Sequence, residues 1–205
     1  MTDTAIRGSA IVLPERRLWT RREYERMAES GVFGPEDKLE LIEGEIVAKM
    51  ASMYTPHATA IILADASLRS VFTEGWHLRI QMPFAASEMS EPEPDVAVVP
   101  GGVRAYEDHH PTTAALLVEV ADSSLSYDRA TKAALYARAG VPEFWIINLV
   151  ERLLEVHRGP TPIPDRPLGH YYASVTKLAE TQTVMPLAAP ASAIAVVDLL
   201  PRRRS

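Results

Sequence analysis

The stretch Leu116-Leu117-Val118-Glu119-Val120-Ala121 holds one carboxylate inside a run that otherwise reads as a strand buried on both faces. Strands of that kind belong to sheets with helices on both sides, so the run already points to an α/β architecture. It also sets a chemical condition. An unpaired carboxylate in such a place is costly, and the fold must bring it a metal ion, a cation or a proton. A second reading stays open. Strict alternation puts Leu117, Glu119 and Ala121 on one face and Leu116, Val118 and Val120 on the other, and Glu119 could then look out to solvent.

The rest of the chain is read around this strand. Thr20-Arg21-Arg22-Glu23 fits a capping box and predicts a helix to about Ser30. Leu39, Leu41, Ile46 and Val47 flank Glu43-Gly44, which predicts a hairpin turn. Pro56 and the helical spacing of Ile61, Leu68 and Phe72 predict a buried helix over 56–73. Trp76, Leu78, Ile80, Met82 and Phe84 alternate with His77, Arg79, Gln81 and Pro83, which predicts a strand through Phe84. A short buried strand starts at Asp95, and a helix runs from Asp128 to Ala139 before Gly140. Phe144–Leu149 is a further buried strand, with a hairpin through Val150-Glu151 into Leu153–Arg158. Residues 159–167 read as a Pro-rich loop and Tyr171–Val175 as a strand, while Ala191–Leu200 is either a strand or a short helix. The order α-β-β-α-β-β-β-α-β-β-β contains an inner α-β-β-β-α-β core over 57–149. Residues 1–17 are expected as a loose lead-in and 150–205 as C-terminal strands and tail, all within one domain of 205 residues.

Composition narrows the function classes. With no cysteine in the chain, disulfides, thiolate catalysis and Cys-based zinc sites are excluded. No apolar stretch approaches the roughly 18 residues of a membrane span, and the N-terminus does not read as a signal peptide, so a cytoplasmic location is expected. A net charge of -6 argues against a protein that blankets duplex DNA, but not against an enzyme acting on nucleic acid. Basic clusters at Arg16, Arg17, Arg21 and Arg22 and at Arg202, Arg203 and Arg204 are expected to be solvated ends. The chain has no P-loop, GxGxxG, GxSxG or HxxEH motif, and His109-His110 stands as an isolated pair.

A few polar residues break the pattern. Asp95 follows Pro94 and alone reads as turn chemistry. Beside Glu119 it gives an oxygen-rich pocket suited to a hard divalent cation such as Mg²⁺. Lys132 is either a solvated helix charge or a long side chain reaching back to the strand end. His57, Glu40, Glu43 and Glu45 are weaker candidates, read mostly as solvated or satisfied.

In order, the segments WTRREY, ELIEGEIV, an isolated His opening a helix, SEPEPDVAVV, LLVEVADSS and YDRATKAALYARAGVPEFWIINL resemble the Uma family (Uma-two) of restriction-endonuclease-like proteins, over roughly residues 18–157. That family lies in the PD-(D/E)XK nuclease superfamily. The resemblance implies a restriction-endonuclease-like α/β fold: the α-β-β-β-α-β core with a mixed sheet flanked by helices, plus an N-terminal helix-hairpin extension. It matches Pro94-Asp95 to the "PD" and Glu119 to the "(D/E)". Where the parent pattern has its Lys, this chain has Ala121, and the resemblance moves that role to Lys132. His57, Glu40 and Glu45 are implied as site lining.

The implied chemistry is metal-dependent phosphodiester hydrolysis of nucleic acid, expected to be DNA. Asp95, Glu119 and the Val120 carbonyl would hold Mg²⁺ or Mn²⁺, and Lys132 would position water or offset charge. A homodimer is the expected assembly. The alternatives are a non-catalytic module of the same fold that binds a protein or nucleic acid, and a hydrolase for another phosphate ester.

Overall fold

A computed structural model of the chain describes residues 16–34, 36–49 and 55–203. Most of the expected lead-in and Arg204 lie outside those residues. Helix α1 (Arg21–Glu29) starts with the expected capping box: the Glu23 amide donates to Thr20 Oγ1 at 3.3 Å and the Thr20 amide to Glu23 Oε2 at 3.0 Å. Tyr24 Oη donates to the Leu39 carbonyl at 2.9 Å, which ties α1 to the hairpin of β1 (Leu39–Ile42) and β2 (Glu45–Ala48). Both turn residues have positive φ, 53° at Glu43 and 79° at Gly44, as tight hairpin turns need. A Cβ at position 44 would stand 2.7 Å from Leu18 Cβ and 2.8 Å from Met89 Cε, so only glycine fits.

Helix α2 (Thr55–Val71) leads into a six-stranded sheet with spatial order β3-β4-β5-β6-β7-β8. Its strands are β3 (Trp76–Ile80), β4 (Val96–Pro100), β5 (Leu116–Ala121), β6 (Glu143–Asn148), β7 (Leu153–Pro162) and β8 (His170–Ala179). All neighbours are antiparallel except β5 and β6, which are parallel and therefore need a crossover. The crossover is α3 (Leu125–Tyr127), a π turn (Asp128–Lys132) and α4 (Ala133–Arg138). Two further strands, β9 (Thr183–Val184) and β10 (Ile194–Ala195), form a small ladder. The ambiguous C-terminal stretch is both things in turn: β10 and then a 3-10 turn at Val196–Leu199.

The sheet has a core on each face. Leu116, Val118 and Val120 pack with Trp145, Ile147 and Val156 against Ala60, Ala64 and Leu68 of α2. Leu117 and Ala121 pack with Phe144 and Ile146 against Ala133, Tyr136 and Ala137 of α4. The alternation along β5 is therefore real, but the face of Glu119 is roofed by the crossover helix rather than open to water.

Two elements depart from expectation. The strand expected through Phe84 ends at Ile80, because Gln81 takes φ 48° and Pro83 cannot continue a ladder. Conversely, the expected loop at 159–167 is partly strand, since β7 runs to Pro162. Beyond Arg158, β7 has lost β6 as a neighbour and pairs with β8 alone. Proline is tolerated there because its missing amide can face the unpaired side.

Candidate active site

The ends of β4 and β5 place Asp95 and Glu119 side by side. Asp95 immediately precedes β4, and its Oδ2 accepts from the Val120 amide at 2.9 Å. Glu119 Oε2 accepts from the Asp95 amide at 3.3 Å. Each carboxylate thus binds the other residue's strand. Asp95 is 2% exposed and Glu119 4%.

Three neighbouring elements complete the site. From the π turn, Lys132 donates to Glu40 Oε1 of β1 at 2.7 Å and lies 3.3 Å from Glu119 Oε1. One turn on, Tyr136 Oη donates to the same Glu119 oxygen at 2.6 Å. From α2, His57 Nε2 sits 3.5 Å from Asp95 Oδ2, and its ring also bonds the backbone of Val120. From the end of the β1–β2 hairpin, Lys49 donates to the Glu93 carbonyl at 2.7 Å and stands 3.8 Å from Asp95 Oδ1. The early end of β3 matters here, because Gln81 swings back to donate from Nε2 to Asp95 Oδ1 at 3.2 Å.

Glu40, Lys49, His57, Asp95, Glu119, Val120, Asp128 and Lys132 line a cavity of about 30 Å³. That is room for an ion or a water or two. Four of these residues are acids and two are lysines, so full ionisation would leave surplus negative charge. The proton equilibria reflect it. Burial pushes Glu119 up, the charges of Asp95 and Glu40 add to this, and Lys132 and Lys49 only partly offset it. Asp128, held by Ser124 Oγ at 2.6 Å, is pushed up to about 8 by burial and by the Glu119 charge. Asp95 goes the other way: burial raises it, but His57, Lys49 and the Val120 amide outweigh burial and hold it below the usual carboxylate range. Burial lowers His57, yet Asp95 and Val120 outweigh it and raise the ring above its ordinary value. Lys132 is raised despite burial, by Glu119 and Glu40, so it stays a cation.

Among the described residues no group of three or more His, Cys, Asp or Glu side chains is arranged to hold a metal ion. An ion in this cavity would draw on two side-chain carboxylates, a backbone carbonyl and water. That all-oxygen set fits Mg²⁺ or Mn²⁺ in kind, and the surplus negative charge that raises Glu119 and Asp128 is what a cation would meet.

Of the sequence candidates, Asp95, Glu119, Lys132, His57 and Glu40 come together, with Val120 on the cavity wall. Glu45 does not. It is exposed on β2 and pairs with Arg16 at 2.9 Å, because it sits opposite Ile42 at the turn end of the hairpin, two residues beyond Glu40 on the same face. Glu43 instead binds Arg138 of α4 and Ser90, bracing the hairpin. Sequence reasoning missed Lys49, Tyr136, Asp128 and Gln81 as site residues. A signal existed only for Asp128, a helix-start acid next to the run that holds Glu119. The basic ends pair locally, as in Arg17–Glu23, Arg21–Glu25 and Arg203–Glu180.

Comparison with known proteins places this geometry in context. Residues 21–192 match the model of the Uma2 family, described as "Putative restriction endonuclease". No curated protein matches the chain. A solved structure from Anabaena variabilis ATCC 29413, titled a "putative nuclease belonging to DUF820", superposes with a TM-score of 0.66 at 18% identity. The match covers 88% of this chain and 96% of that one. The likeness concerns the fold: a mixed sheet between helices.

Proposed function

Since the chain belongs to the Uma2 family, we propose that it is a metal-dependent endonuclease that hydrolyses phosphodiester bonds, with DNA as substrate. The observation that carries this reading is the convergence of Asp95, Glu119 and Lys132, from three separate elements, on one small acidic cavity. Asp95, Glu119 and the Val120 carbonyl would hold Mg²⁺ or Mn²⁺, whose contribution is to acidify a water and offset phosphate charge.

The protein's own groups divide the remaining work. Lys132 stays protonated, so it is not the base. Its ammonium has three donors, of which Glu40 and Glu119 take two. The third is free to hold the attacking water or a phosphoryl oxygen, where charge develops. Tyr136 and the Asp95 amide fix the Glu119 carboxylate, and Gln81 and the Val120 amide fix Asp95. The role of the Lys that the parent pattern places at 121 would then pass to the helix that roofs the same face, where Ala121 packs against α4 and Lys132 reaches Glu119.

The test is cleavage of linear, supercoiled and single-stranded DNA with Mg²⁺ or Mn²⁺ by the wild type, Asp95→Ala and Lys132→Ala. Cleavage by the wild type alone is the expected result. Equal cleavage by all three would remove the assignment. DNA binding without cleavage by the wild type would favour the non-catalytic module.

A further inference from the structure

The face of the sheet that carries Asp95 also carries a buried cation with no acid to meet it. Arg79 lies in β3, opposite Ala97 of β4, and is 7% exposed. Leu78 points to the α2 side, so Arg79 shares its face with Ala97; Gln81, two residues on and just past the strand end, holds Asp95 with its amide. Arg79 thus leaves the chain two residues before the one that holds Asp95.

Its neighbours are hydrogen-bonding and aromatic groups, not acids. Nη2 meets His110 Nδ1 at 3.4 Å. The group lies over the Tyr106 ring, 5.6 Å from its centroid, and Nε is buried with no partner. Among the described residues no carboxylate lies within ion-pair distance of it. The other buried lysine or arginine among the described residues, Lys132, has two. A desolvated cation without a counter-charge is costly, and burial works against the charge of Arg79. His110 accepts from the guanidinium and so cannot supply that charge. His110, one of the pair isolated in the sequence, gains a role here: with Tyr106 it places the loop after β4 over Arg79.

We propose that Arg79, with His110 beside it, is a phosphate-binding subsite that takes a backbone phosphate of the nucleic acid adjacent to the one at the Asp95–Glu119 cavity. The substrate class rests on the nuclease reading, whereas the anion site rests on Arg79 alone. A planar guanidinium is the group that binds phosphate oxygens in a fork, which an ammonium cannot do. The site would fix the register of the strand on the enzyme without reading its sequence.

Two measurements on the full chain test this. The first is thermal unfolding with and without millimolar inorganic phosphate, for the wild type, Arg79→Gln and Arg79→Lys. Phosphate should raise the wild-type Tm, should leave Arg79→Gln unmoved, and should act weakly on Arg79→Lys. Without phosphate, Arg79→Gln should melt no lower than the wild type, because it removes an unmet buried charge. The second is binding of a fluorescent oligonucleotide across a salt series, with Ca²⁺ replacing Mg²⁺. Arg79→Gln should bind about tenfold more weakly, with a salt slope smaller by about one phosphate contact. Unchanged affinity and slope together with an unchanged phosphate response would overturn the proposal, as would a lower Tm in Arg79→Gln with no phosphate response in the wild type. If phosphate acts through Arg79 but no oligonucleotide binds, the anion site stands and the nuclease reading fails.

Discussion

Glu119 and Glu155 occupy one row of the sheet: Glu119 pairs with Ile146 of β6, and Ile146 with Glu155 of β7. Both face the crossover helix, both are at most 4% exposed, and both receive a cation from the π turn, at Lys132 and Arg129. Their states nevertheless differ. Arg129 Nε reaches both Glu155 oxygens, at 3.1 and 3.0 Å, its Nη2 adds a further bond, and Asn148 donates at 2.8 Å. Burial raises Glu155, but these donors outweigh it and hold the carboxyl below its ordinary range. Glu119 shares its lysine with Glu40 and faces Asp95, so it is raised. Burial is common to both. The ratio of donors to acids is what separates a structural carboxylate from one that still needs a cation.

The largest test of that contrast sets Glu119→Gln against Glu155→Gln. Glu119→Gln should slow Mg²⁺-dependent cleavage about a thousandfold, while Tm holds or rises because repulsion with Asp95 is relieved. Glu155→Gln should lower Tm and leave cleavage per folded molecule unchanged. The opposite pattern in either variant would break the comparison. Next in size is Arg129→Ala, which strands a buried acid. It should cost roughly 3 kcal/mol in denaturant unfolding, the low end for a broken buried pair, since Arg129 is partly exposed.

The sequence makes one of these two glutamates visible and hides the other. Glu119 stands out because its neighbours on both sides are apolar. Glu155 lies in Leu153–Arg158, where alternation makes a charged residue ordinary, and only the long-range arrival of Arg129 reveals it as buried. The same limit explains the missed site residues. Tyr136 reads as core and is core, apart from its hydroxyl on Glu119. Lys49 ends a hairpin rich in charges of both signs. The π turn over Asp128–Lys132 has no compositional signature, yet it supplies Arg129 to Glu155 and Lys132 to Glu119. The element order, by contrast, follows from local periodicity and turn residues, and its two errors fall where a turn residue was not recognised, at Gln81, and where prolines sit in an edge ladder.

A smaller effect sharpens the contrast through pH. Asp128 has a native value of about 8 against an ordinary 3.8, so the folded state binds the extra proton. Its contribution to stability is present at low pH and is lost as pH rises through 8. Asp128→Asn, which keeps the shape and drops the charge, should match the wild-type Tm near pH 4 and exceed it increasingly up to about pH 9. Parallel Tm curves would mean that the cavity does not carry surplus negative charge.

The smallest effect lies one pleat from Glu155, at His157. It is 1% exposed, and its ring sits 5.3 Å from that of Phe144 and 5.7 Å from that of Tyr172. Neither ring nitrogen has a hydrogen-bond partner, and Nε2 lies 4.0 Å from Glu155 Oε2. Burial pulls it down to about 4, with Glu155 opposing and Arg129 assisting. With a folded value below the ordinary 6.5, its contribution is present above pH 6.5 and is lost as pH falls through 4. His157→Phe should therefore stay within about 1.5 kcal/mol of the wild type at pH 7, lose less stability between pH 6.5 and 4, and cleave at the wild-type rate. A larger loss at pH 7 would show that the imidazole nitrogens hold something the neighbouring aromatics do not supply. The Glu155 region would then be, like the Glu119 region, a site with an unmet polar demand.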